Sequence, residues 1–114
     1  MSAQQLEISS AESISIRSTL QILGIPVHRK GYRQLVIAIA CFTRDNNQSI
    51  TKELYPSVAK ISGSQDWRLV ERDIRAAIHH AWGIRDTSAW EIYFPNAGKA
   101  PTNKVFISTL SNLL

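Results

Sequence analysis

From Asp66 to Trp82 the chain repeats with the period of an α-helix: at about 100° per residue, Trp67, Val70, Ile74, Ala77, Ile78 and Ala81 share one side. Arg68, Arg72, Arg75 and His79 share the other, at i, i+4, i+7 and i+11, in a stripe about 60° wide. Such a segment must bury one face against a core and keep a basic face in solvent. The residues before it narrow the fold further. Leu54-Tyr55-Pro56-Ser57-Val58-Ala59-Lys60-Ile61 supports a short helix, and Ser62-Gly63-Ser64 breaks it just before the stripe begins. Short helix, glycine-bearing turn and basic amphipathic helix together outline a helix-turn-helix.

The remainder reads as further short elements. Residues 1–10 are polar and are expected to form a disordered tail, with 11–114 as one domain. Ser10 followed by Glu12 signals a helix from about Ala11 to Leu23, ended by Gly24 and Pro26. Tyr32 to Thr43 is apolar on every side and rich in β-branched residues, so periodicity alone permits a buried strand or a buried helix. Asp45-Asn46-Asn47 closes it as a turn. The aromatic segment Thr87 to Phe94, with Trp90, Ile92, Tyr93 and Phe94, suits a core plug or dimer surface better than a platform for stacked bases. Thr102 is placed to cap a last helix whose Phe106, Ile107, Leu110 and Leu113 are spaced to dock on a core. A length of 114 residues and 44% hydrophobic content fit a single globular domain.

Several function classes fall away on the same residues. The longest apolar run, Leu35 to Phe42, has eight residues, against the roughly 20 of a membrane-spanning helix. Met1 to Ser15 lacks a basic start followed by an apolar block, so neither a secretory signal nor an anchor is expected, and the expected location is cytoplasmic. Cys41 lies inside the apolar run and is expected to be a buried, inert thiol. His28, His79, His80 and Cys41 lack the paired spacing of a zinc site, and no metal or other cofactor is expected. An enzyme is not expected either, because the chain has no glycine-rich phosphate loop, nucleophile elbow or nucleophile–base set. Asp66, Glu71 and Asp73 are explained by the helix start and by i, i+4 pairing such as Glu71 with Arg75. The net charge of +4 is carried in three separated groups: His28-Arg29-Lys30 with Arg33, the arginine stripe, and Lys99 with Lys104. That distribution suits a groove contact flanked by phosphate contacts, and equally a solvated charged face.

An ordered set of blocks resolves part of this. Gly24-Ile25-Pro26-Val27-His28, Lys30-Gly31-Tyr32, Ser49-Ile50-Thr51-Lys52, Leu54-Tyr55-Pro56, Val70-Glu71-Arg72, Ala81-Trp82 and Pro101-Thr102-Asn103 resemble, in order and close to spacing, the C-terminal DNA-binding domain of the bacterial sporulation response regulator, stage-zero sporulation protein A. The resemblance runs from about Ser15 to Leu114. It implies an all-α domain of about six short helices around a central helix-turn-helix, a response-regulator effector architecture, winged-helix-like but without a clear wing, and so a helix over Tyr32 to Thr43. It also implies that Glu71, Arg72 and Arg75 contact bases in the major groove of double-stranded DNA. Helical geometry adds Arg68 and His79 to that face. Phosphate contacts are expected from His28, Arg29, Lys30, Lys52, Lys60, Lys99, Thr102 and Lys104.

The chain also departs from the family pattern. The family's regulators carry a phosphoacceptor receiver domain, whereas about ten residues precede the resemblance here. The turn between the central helices is one residue longer, with Ser64-Gln65-Asp66-Trp67, and Leu69 stands where the family has a base-contacting arginine. The segment from Gly83 to Ala100, which in the family engages RNA polymerase, is shorter and divergent. Two expectations follow. One is a sequence-specific transcriptional regulator, acting as a homodimer on tandem half-sites, with RNA polymerase or a full-length regulator as further partners. The other is an interaction module that keeps the fold and pairs with a full-length regulator through Trp90, Tyr93 and Phe94 without reading DNA.

Overall fold

The computed structural model describes residues 8–114; of the tail expected over 1–10, positions 1–7 lie outside the described residues. Six α-helices follow in order: α1 (Ser10–Ile22), α2 (Lys30–Arg44), α3 (Tyr55–Ser62), α4 (Trp67–Gly83), α5 (Thr87–Tyr93) and α6 (Asn103–Leu113). A π-helical turn, Ile50–Leu54, leads directly into α3, and no strand occurs among the described residues.

Tyr32 to Thr43 is helical, as the resemblance implied; periodicity alone could not say so, and the reason is tertiary. α2 is the axis of the molecule, packed by α1, α3, α4 and α6. Gln34, Leu35, Val36, Ile37, Ala38, Ile39, Ala40 and Phe42 are all buried along it. Its exposed polar residues, Lys30, Arg33, Thr43 and Arg44, lie near its two ends, so the run from Leu35 to Phe42 between them shows no polar face and loses the 3.6-residue signature. α2 and α4 cross closely at Gly31, where a β-carbon would collide with the Asp73 carbonyl and lie 2.8 Å from Ala77 Cβ. Glycine is required there by space.

The termini of the helices obey local rules. Ser9, one residue before the expected cap, accepts from the Glu12 N–H at 3.1 Å and starts α1. Thr102 accepts from the Val105 N–H at 3.2 Å and starts α6. Phe106, Ile107 and Leu110 are fully buried, as their spacing predicts. Leu113 is not: it is 58% exposed, because α6 runs past the edge of the core in its last turn. Cys41 is half-buried rather than fully enclosed, and burial pushes its thiol pKa up, partly opposed by Arg44.

The aromatic segment is a core plug. Trp90 and Phe94 are buried and packed in a cluster with Phe106, on which Phe94 stacks, and the Trp90 indole N–H donates to the Leu23 carbonyl at 3.0 Å. A surface built on Trp90, Tyr93 and Phe94 is therefore not available to a partner, since two of the three rings face inward and Tyr93 is half-buried.

Candidate nucleic-acid interface

The helix-turn-helix is held by backbone geometry before any functional side chain is considered. Gly63 ends α3 with φ 77°, a conformation that a side chain makes costly. The Ser64 N–H reaches back to the Ala59 carbonyl at 2.9 Å and closes the turn. Asp66 caps α4, accepting from the Arg68 N–H at 2.9 Å and pairing with the Arg68 guanidinium at 3.2 Å. That backbone N–H, and secondarily the guanidinium, hold the Asp66 carboxyl below the usual carboxylate range. Trp67, expected on the core side, is half-buried. Its ring stacks on Tyr55 at 6.2 Å with 8° between planes, tying the start of α3 to the start of α4.

α4 divides as its periodicity predicts. Val70, Ile74, Ala77, Ile78 and Ala81 are fully buried, while Arg68, Arg72, Arg75 and His79 are exposed. Each arginine of the stripe has a carboxylate on or beside its own helix: Arg68 with Asp66, Arg72 with Asp73 at 3.3 Å, and Arg75 with Glu71 one turn back. The face therefore presents donors whose charge is largely balanced in the free protein. Such exposed pairs contribute roughly 0–1 kcal/mol each, so they orient the side chains more than they stabilise the fold.

Two grooves border this helix. On one side Lys30 and Arg33, from the start of α2, line a depression with Ser62, Gly63, Ser64, Gln65, Leu69 and Arg72. On the other, Thr102 and Lys104, from the start of α6, line one with Glu71, Arg75 and His79. The tertiary fold thus brings Lys30, Thr102 and Lys104 alongside the stripe. His28, Arg29, Lys52, Lys60 and Lys99 are exposed but line neither groove. Thr102 has a structural duty as well, since its hydroxyl oxygen is the α6 cap.

Three residues matter here beyond those singled out as contacts. Arg33 belongs to the first basic group, and its proximity to the turn is a product of the α2–α4 crossing. Asn103 is buried, and its side-chain nitrogen donates to the Glu71 carbonyl at 3.0 Å and to Tyr55 Oη at 3.1 Å, pinning α6 to both helices of the motif. Its position immediately after the Thr102 cap, within one of the ordered blocks, is the only sequence signal for it. Burial raises the Tyr55 phenol pKa, which the Asn103 hydrogen bond partly offsets. Gln34, 3% exposed on α2, donates from Nε2 to Asp73 Oδ2 at 3.5 Å, while its Oε1 has no partner.

Among the described residues no three His, Cys, Asp or Glu side chains converge on a metal-sized space. No helix among them is long and apolar enough to cross a membrane. A protein-family model described as sporulation initiation factor Spo0A C terminal matches residues 16–114.

Proposed function

This chain belongs to the Spo0A C-terminal family, whose domains bind DNA in the regulation of sporulation, and we propose that it is a sequence-specific regulator that reads the major groove with α4. The observation that carries this is the exposed Arg68-Arg72-Arg75-His79 stripe, bordered on both sides by cationic grooves. In this reading Arg72 and Arg75 donate to guanine O6 and N7, and Glu71 accepts from a cytosine N4 amine. Arg68 and His79 extend the face toward the two ends of the helix. Lys30, Arg33, Thr102 and Lys104 contact phosphates and set the register, with His28, Arg29, Lys52, Lys60 and Lys99 contributing long-range charge.

The test is in vitro selection of duplexes from a random pool, followed by anisotropy titration of the enriched duplex and of the pool at several salt concentrations. A preference of about a hundredfold or more, with a steep salt slope, is the expected result. Arg72→Ala and Arg75→Ala should each weaken the enriched duplex more than about tenfold, given roughly 1–3 kcal/mol of discrimination per bidentate contact. Equal, weak binding of both duplexes, untouched by either substitution, would overturn the assignment. Function in the cytoplasm, with RNA polymerase or a full-length regulator as partner, completes the proposal. The alternative of pairing without DNA loses its surface with Trp90 and Phe94 inside the core.

A further inference from the structure

We infer that Asp73 is a positioning residue for Arg72, restraining its guanidinium so that it engages a base edge in preference to a phosphate; this rests on the DNA-reading role of α4 proposed above. Arg72 is the exposed member of the pair, its side chain 63% exposed, whereas the Asp73 side chain is only 18% exposed. Asp73 Oδ1 accepts from Arg72 at 3.3 Å while Oδ2 accepts from buried Gln34. Its backbone carbonyl lies against Gly31 of α2. The carboxylate is therefore anchored to the core, and the arginine is tied to the carboxylate.

That arrangement discriminates between two kinds of acceptor. Arg72 has five N–H donors, and pairing with Asp73 uses one, which leaves enough for guanine O6 and N7. Those atoms are neutral and do not compete with the carboxylate. A phosphate does compete: it must either displace Asp73 or sit beside another anion. Lys30 and Arg33 line the same groove and make no ion pair among the described residues. Phosphate binding in this groove falls to them, and base reading to Arg72.

The experiment compares the full chain with Asp73→Asn, which keeps the size of the side chain and its hydrogen bond to Gln34 while removing the charge. Asp73→Ser repeats the comparison with a shorter side chain. Binding to the selected duplex and to the random pool is titrated at several salt concentrations, with helicity checked by circular dichroism. Both variants should bind the pool about threefold tighter or more, the scale of one exposed ion pair. The pool salt slope should steepen by about one unit, the signature of one added phosphate contact. Preference for the selected duplex should fall correspondingly. In an Arg72→Ala background, Asp73→Asn should leave that preference unchanged. Equal tightening in the Arg72→Ala background would reduce Asp73 to bulk charge and overturn the inference, as would an unchanged preference in both single variants. If Arg72→Ala alone left binding of the selected duplex intact, the DNA-reading role of α4 would itself fail, which is a separate and distinguishable result.

Discussion

Asn103 spends both hydrogens of one nitrogen on different helices, the Glu71 carbonyl in α4 and the Tyr55 hydroxyl in α3. Asn103→Ala leaves the buried Tyr55 hydroxyl without this donor and removes the second donor to the Glu71 carbonyl, so a loss of about 1–3 kcal/mol is expected in urea unfolding. DNA binding should weaken with it, because the reading helix loses the tie that orients Glu71. Asp66 supports the same helix by charge. Its carboxyl pKa is depressed by the Arg68 N–H and guanidinium, so its stabilisation is complete above the ordinary aspartate pKa and is lost only as pH falls through the lowered value. The melting temperature of Asp66→Ala should therefore lie below that of the wild type by a constant margin from neutral to weakly acidic pH. The gap should close only beneath the ordinary aspartate range. A gap that closed between pH 6 and 8, where histidines titrate, would assign the effect elsewhere. Both residues were visible in the sequence, but only Asp66 was legible in kind, because a helix start is a local event and a bridge between three helices is not.

At the scale of the element, α4 is the helix whose periodicity already sorted core from surface, because one of its faces meets solvent. α2 meets it only near its two ends, at Lys30, Arg33, Thr43 and Arg44, and the buried apolar run between them shows no periodicity for that reason. The crossing of the two sets a test of sign. Helix propensity alone says that Gly31→Ala should stabilise α2 by up to about 1 kcal/mol. The Asp73 carbonyl and Ala77 Cβ occupy the space that the new methyl needs, so a net destabilisation of about 1–3 kcal/mol is expected instead. Chemical denaturation of Gly31→Ala decides between them. α5 and α6 illustrate the remaining limit. The spacing of Phe106, Ile107 and Leu110 marked a docking face correctly, yet it extended the face to Leu113, since a periodic pattern does not say where the surface opposite comes to an end.

For the whole molecule, a single module of this size buries only about 600–1,000 Å² of its surface on DNA. Two copies on tandem half-sites are therefore expected on a long duplex. Sedimentation should find a monomer in the absence of DNA and a two-to-one complex on a duplex with two sites. A half-length duplex should be bound with affinity reduced by at least about tenfold. The amino-acid sequence by itself determined the helix-turn-helix, the basic stripe on α4, the starts of α4 and α6 and the family resemblance. Each of these is written in spacing or in local backbone chemistry, within a few residues of where it acts. Only the tertiary structure decided that α2 lies at the centre, that Trp90 and Phe94 face inward, and that Asn103 and Asp73 tie α4 to α6 and to α2. It also decided that Lys30, Thr102 and Lys104 border the stripe while Lys52, Lys60 and Lys99 stand apart from both grooves. The physical reason is common to all of them: their environment is made by residues tens of positions away in the chain, beyond the reach of the local periodicity from which a sequence is read.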